Sequence, residues 1–300
     1  MRIRANLMGS RAVDPGMIKG RIVVGALTIG PGAGGAYVFT QDGAGWHQIA
    51  ALRPRTALPT SSFGFSVATS GQFAVVGDPG YGGGAGRTYV FGRAQKGWGQ
   101  TSELTGRDTR PGDSFGYSVA ISAGQILVSA PWHKAGEAYV FRLAHQNWRQ
   151  TAGITGQPIG YDQFGYSVAL DGTVAVVGAP GLNTGAAYLF DQVGGNWGPA
   201  AEIAAPSPAD RFFGNAAAIS GTAVLIAANG YNAAAGAVWA ATVLNPPGRY
   251  APPGTGRADK GARLWSATGQ SQEPMTVGQP DRLHEVSLRA FMLSHPPGVY

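Results

Sequence analysis

The chain has no cysteine among its 300 residues. Disulfides, thiolate nucleophiles and cysteine-based metal sites are therefore excluded. Charge is also scarce, with only 13% Asp, Glu, Lys and Arg, so long helices with solvated charged faces are not expected. No apolar run approaches the ~18 residues of a membrane-spanning helix, and no membrane span is expected. The opening stretch carries Arg2 and Arg4 but no sustained apolar core, so no secretory leader is expected within it. The net charge is +6, yet the basic residues are scattered. Pairs such as Arg53 with Arg55, or Arg107 with Arg110, do not build the dense stripe that neutralises phosphates, and no nucleic-acid partner is expected. The histidines, His47, His133, His145, His284 and His295, show no metal-ligand spacing, so no metal is expected. Nucleophile-elbow, phosphate-loop and zinc-protease motifs are all missing, and the chain is not expected to be an enzyme.

Glycine (48) and proline (20) are abundant, beside 44% hydrophobic residues. That mixture suits many short strands joined by tight turns. One phrase recurs: FGFSVATSGQFAVVGDPG from Phe63, FGYSVAISAGQILVSAPW from Phe115, FGYSVALDGTVAVVGAPG from Phe164 and FGNAAAISGTAVLIAANG from Phe213. Three landmarks keep its register. Gly25, Gly77, Ser129, Gly178 and Ala227 are spaced by 52, 52, 49 and 49 residues. Tyr37, Tyr89, Tyr139 and Tyr188 keep the same rhythm, as do Trp46, Trp98, Trp148 and Trp197. Each unit of about 50 residues reads as four short antiparallel strands, the size of a propeller blade. The fold class expected is all-β, a propeller of about five four-stranded blades over residues 21–244, either a closed ring or an incomplete one, with a non-propeller tail after it. Residues 1–20 would be a lead-in with a weak opening strand, Ser10 to Asp14.

Phe-Gly followed some fourteen residues later by Gly-Ala-Pro resembles the FG-GAP repeat of integrin α-subunit β-propellers, and the bacterial-type version most of all. The resemblance covers roughly Arg21 to Leu244. It implies a β-propeller engaged in adhesion or other binding, with an extracellular or cell-surface location. It also brings calcium into question, because the integrin form often carries an Asp-rich loop between the two motifs. Here those turns hold at most one carboxylate, Asp171, whereas calcium takes about six to eight oxygen ligands. Calcium is not carried over, no other cofactor is expected, and Asp171 is read as a turn residue.

The repeated residues are read as structural. Phe63, Phe115, Phe164 and Phe213 would be core, and Gly64, Gly116, Gly165 and Gly214 would allow close backbone approach. The four repeated tryptophans would pack between blades. Asp113, Asp162 and Asp210, each just before a Phe-Gly turn, would accept backbone N–H groups there. Departures from the repeat carry the functional reading. Tyr81, Trp132, His133, Lys134, Asn183, Tyr231 and Asn232 occupy the loop after the Gly-Ala-Pro position, on one face, where they suit a protein or carbohydrate ligand. The alternatives are a propeller-fold polysaccharide hydrolase or lyase, which would need converging carboxylates, and a truncated repeat array without a function of its own.

Residues 245–300 break the register. Asn245 to Gly261 is linker-like. Leu283, Val286, Ala290 and Leu293 fall at helical spacing and predict one short amphipathic helix. Ala262 to Ala267 is the expected closing strand of the fifth unit.

Overall fold

The computed structural model describes residues 21–26, 34–56, 58, 61–95, 97–156, 162–181, 184–208, 211–230, 236–243, 264–265 and 286–291. Its strands form five small sheets, and the fold is a five-bladed β-propeller. The first sheet contains β1 (Arg21–Ala26), β2 (Gly35–Asp42) and β3 (Gly45–Leu52). The second runs β4 (Ser66–Ser70), β5 (Phe73–Asp78), β6 (Arg87–Ala94) and β7 (Gly97–Leu104). A single turn of helix, α1 (Tyr81–Gly84), joins β5 to β6. The third sheet contains β8 (Val119–Ser122), β9 (Gln125–Ala130), β10 (Glu137–Ala144) and β11 (Asn147–Ile154). The fourth contains β12 (Ser167–Asp171), β13 (Val174–Ala179), β14 (Ala186–Val193) and β15 (Asn196–Ala204). The fifth is built on β16 (Phe213–Ser220), β17 (Ala223–Ala228) and β18 (Ala237–Val243). By compactness the chain divides into residues 1–172 and 173–300, at the turn after β12.

Burial explains why the strands within a blade differ in composition. All six residues of β9 are buried, as are all six of β13. A strand covered on both faces has no reason to alternate, hence the continuous apolar runs QILVSA and VAVVGA. The outermost β11 alternates between exposed and half-buried positions until Ile154, as a strand with one solvated face should. A register shift recurs between the last two strands of each of the first four sheets, at Val38/Phe39, Val90/Phe91, Val140/Phe141 and Leu189/Phe190. Repeated bulges of this kind add local twist to each blade.

In the first unit the core lies between sheets. Val23, Val38 and Leu52 of the first sheet pack with Phe63, Val67, Val76, Tyr89 and Phe91 of the second. Val75, Val90 and Leu104 pack in turn with Phe115, Ile126, Val128, Tyr139 and Phe141 of the third. Phe63 and Phe115 are fully buried. Each meets two aromatics of its own blade, Phe63 with Tyr89 and Phe91 at 5.4 and 6.0 Å, Phe115 with Tyr139 and Phe141 at 5.5 and 6.0 Å. Burying such a ring contributes about 1.5–3 kcal/mol, and edge-on pairing adds to it.

The glycine after each phenylalanine is fixed by sterics. Gly64 and Gly116 sit at φ +91° and +90°, which side chains disfavour. A Cβ on Gly64 would lie 2.3 Å from the Gly35 carbonyl oxygen, and one on Gly116 would lie 2.7 Å from that of Arg87. The Gly-Ala-Pro glycines face them: a Cβ on Gly77 would meet the Gly116 oxygen at 2.1 Å. The two motifs therefore touch backbone to backbone, with no room for a methyl group.

Two of the scattered arginines have a defined task. Arg55 donates from its backbone N–H to Gln100 Oε1 (2.8 Å) and from Nη2 to the Gln100 carbonyl (2.9 Å). Arg107 repeats the pattern on Gln150, at 3.0 and 2.9 Å. Each latch ties the chain leaving one blade to the outer strand of the next.

The second unit departs from expectation in the tail. Val286–Phe291 is a strand, β20, not a helix, and it pairs antiparallel with β18. The apolar spacing that fits a helix also fits alternation, through Val286, Leu288 and Ala290, and the open edge of β18 offers unpaired backbone groups that decide between them. Of the expected closing strand, Leu264–Trp265 forms β19, which pairs parallel with β20 instead of with β18, and the rest lies outside the described residues. Leu283, Leu293 and Ser10 to Asp14 lie outside the described residues.

Phe115→Ala should cost about 3–5 kcal/mol in urea unfolding, the range for large buried aromatics. Gly116→Ala should also destabilise, through φ and the Arg87 carbonyl, although it removes no contact.

Candidate functional site

In the first unit the loops after β5 and β9 are equivalent, and both lie beside the turns that carry Phe-Gly. The residue after each Phe-Gly is aromatic three times. Phe65 and Tyr117 have ring centroids 4.8 Å apart, and Tyr117 and Tyr166 are 4.9 Å apart. Trp132 stands edge-on to Tyr117 at 4.7 Å and 79°. Trp132 is 43% exposed, while the other three are half-buried. Together they form one aromatic surface in which Trp132 is the projecting member. Burial, and then its bond with Tyr166, hold the Tyr117 phenol far above the ordinary tyrosine range, so it stays neutral.

Beside Trp132 the chemistry changes abruptly. His133 is only 4% exposed and is surrounded by carboxylates. Its Nδ1 lies 2.7 Å from Asp113 Oδ2, and its Nε2 lies 3.1 Å from Asp108 Oδ2 and 3.6 Å from Glu137 Oε2. Asp113 Oδ2 also accepts the Arg110 N–H at 2.6 Å. Asp108 accepts the Tyr139 hydroxyl on Oδ1 and the Lys134 ammonium on Oδ2, both at 3.0 Å. These bonds, led by that from Lys134, hold the Asp108 carboxyl down at about 2. Glu137 is pushed up, first by burial and then by the Asp108 charge. Two neighbouring carboxyls are thus driven in opposite directions.

The second blade closes the same loop with other groups. Asp78, fully buried, accepts the Ser61 hydroxyl and the Ser62 N–H, the latter at 2.6 Å. Burial raises its carboxyl above the ordinary range. Here the acid is the last residue of β5 and its donors sit before Phe-Gly. In the third blade the positions are reversed: Asp113 sits before Phe-Gly and its partner His133 lies in the loop after β9.

The expected ligand residues therefore separate. Trp132 projects. Tyr81, on α1, carries the Arg87 guanidinium 3.9 Å above its ring. His133 faces inward, and Lys134, with a 69% exposed side chain, leans back on Asp108. Asn183, Tyr231, Asn232 and Asp210 lie outside the described residues. Asp162 is buried and its carboxyl is raised by that burial. Asp171 ends β12. Trp98 and Trp148 pack against the interblade cores, Trp148 edge-on to Phe73 of the preceding blade at 5.5 Å. Trp197 is half-buried, and Trp46, in the first blade, is 44% exposed. Sequence reasoning missed Phe65, Tyr117 and Tyr166 because they sit inside the repeat consensus. It also missed the Asp108–His133–Glu137 cluster, since spacing between histidines cannot reveal Asp108, 25 residues before His133. The aspartate in GRDTRPGD, another departure from the repeat, was the available signal.

Blades of this size, joined through a repeated Phe-Gly turn, define a repeat-built β-propeller. The model of the family described as FG-GAP repeat matches residues 46–91, 98–141 and 148–190. The chain thus carries three FG-GAP repeats. Among solved structures, a candidate 6-phosphogluconolactonase from Bacteroides uniformis ATCC 8492 is similar, with a TM-score of 0.53 and 12% identity, over 76% of this chain and 65% of that one. At that identity the likeness concerns the fold alone. No curated protein matches the sequence. Among the described residues, no helix is long and apolar enough to cross a membrane.

Linkage gives the cluster a pH signature. Glu137 is raised, so the native state holds its proton to higher pH than the unfolded chain, and stability falls as pH rises through that raised value. Asp108 is lowered, and its contribution is present above about pH 4 and lost as pH falls toward 2. Glu137→Gln should therefore raise the melting temperature at neutral pH and flatten its decline as pH rises above about 4.5, as calorimetry across a pH series would record.

Proposed function

We propose that this propeller is a non-enzymatic binding protein of the adhesion type, acting at the cell surface or outside the cell. It presents the aromatic surface of its first unit to a protein or glycan ligand. The observation that carries this reading is Trp132, 43% exposed on a loop that departs from the repeat and backed by Tyr117, with Phe65 and Tyr166 on either side. An exposed indole on a rigid aromatic base offers a large apolar contact at small entropic cost. The FG-GAP repeats support the class of function, and the ligand is a matter for experiment.

Trp132→Ala should leave stability within about 0.5 kcal/mol, as exposed substitutions do. It should weaken binding by about thirtyfold or more, the loss expected of a central anchor. A glycan array and a panel of surface proteins, each probed with both variants, would test this. Ligand binding that is indifferent to Trp132→Ala would overturn it.

A polysaccharide hydrolase or lyase is the second reading, and one observation favours it. Asp108 and Glu137 have carboxyls driven apart, which is how acid and base roles are divided in such sites. On that reading Glu137→Gln abolishes release of sugar ends from a polysaccharide panel, while Trp132→Ala only weakens it.

A further inference from the structure

We propose that His133, Asp108 and Glu137 form a binding site for one divalent transition-metal ion of the zinc type. The ligand atoms are His133 Nε2 and one carboxylate oxygen from each acid, and the three lie within 4.8 Å of one another. Zinc bound tetrahedrally at about 2.0–2.1 Å holds its ligand atoms about 3.3 Å apart. The observed separations from Nε2 are 3.1 Å to Asp108 and 3.6 Å to Glu137. Both lie within a few tenths of an ångström of that spacing, and Asp108, with a 46% exposed side chain, has room to adjust toward Glu137.

The surroundings match what such a site requires. A metal-bound imidazole normally gives its other ring N–H to a carboxylate, which orients the ring and raises its basicity. Asp113 does this at Nδ1, at 2.7 Å, and is itself held by the Arg110 N–H. Asp108 has one oxygen toward His133 while the other accepts the Tyr139 hydroxyl. Two of the three proposed ligands, His133 and Asp108, are thus steadied by the fold. Asp108, Asp113 and Glu137 crowd one imidazole. Among the described residues the ammonium that meets them is that of Lys134, on an exposed stem that can swing away. The donor set selects the ion: one imidazole with two carboxylates suits zinc, cobalt or nickel, whereas calcium prefers six to eight oxygens. The site owes nothing to the hairpin turns where the integrin form carries calcium. It also stands independently of the ligand reading above, although an ion at His133 would brace the loop that bears Trp132.

The competing account is that a proton alone does the work, as an imidazolium bonded between Asp113 and Asp108. Calorimetric titration of the chelator-treated full chain with zinc, followed by cobalt for its absorption spectrum, separates the two. One equivalent of zinc should bind and raise the melting temperature, while calcium and magnesium should do neither. Cobalt should show the intense visible bands of a four-coordinate site. Asp113→Asn should weaken zinc binding by about ten- to a hundredfold, and Glu137→Gln by more. Lys134→Gln should tighten it, because it removes a competing cation without removing a ligand. Since His133→Ala can fail by misfolding, Glu137→Gln and Lys134→Gln are the deciding variants. The proposal is overturned if zinc leaves the melting temperature unchanged. It is equally overturned if affinity is the same in wild type and Glu137→Gln, which would place the ion elsewhere.

Discussion

Everything in the first unit hangs on the backbone contact between a Phe-Gly turn and the blade before it. Phe63 and Phe115 plug the interblade core, and the following glycine lets the chain turn at positive φ directly against a carbonyl oxygen. From there the backbone continues the attachment: the N–H groups of Ser114 and Phe115 donate to the carbonyls of Gly84 and Ala85, at 2.7 and 3.1 Å. The second unit contains the same device, with the Phe213 N–H on the Thr184 carbonyl at 2.8 Å. A methyl group at the glycine would separate the surfaces that the phenylalanine brings together.

The repeat and the blade are out of phase, which is what makes the array cohere. Each matched repeat begins at a tryptophan on the outermost strand of one sheet and ends in the third strand of the next. No repeat completes a sheet alone, so each must join its neighbour to be folded. The arginine latches on Gln100 and Gln150 and the packing of Trp148 on Phe73 strengthen that junction at its outer side. A chain with only 13% charged residues can do this because its core contacts are apolar and several of its charges are assigned to particular bonds.

With attachment settled by the repeat, the loops are free to differ. The second blade pins its loop with Asp78 on Ser61 and Ser62, and the third pins its own with Asp113 on His133. The third blade goes further, placing an exposed indole next to a buried imidazole ringed by carboxylates. The His133 cluster ties down the loop from which Trp132 projects.

Period, strand count per unit, the burial of Phe63 and Phe115 and the propeller class were legible in the sequence, because each is a local pattern repeated at a fixed interval. Trp132 was legible as a departure from that pattern. The tail was misread because Val286, Leu288 and Ala290 satisfy two periodicities, and only the open edge of β18 chooses the strand. The role of His133 was misread because a side chain's direction is not encoded in its spacing. The aromatic surface was beyond reach because it gathers Phe65, Tyr117 and Tyr166 from three repeats, and the distance between repeats is set by how blades pack. The Asp108–His133–Glu137 cluster lies within one repeat, but the turn before Phe-Gly and the loop after β9 meet only in the folded blade. Sequence alone determined what each blade is; the packing of blade on blade decided which side chains meet.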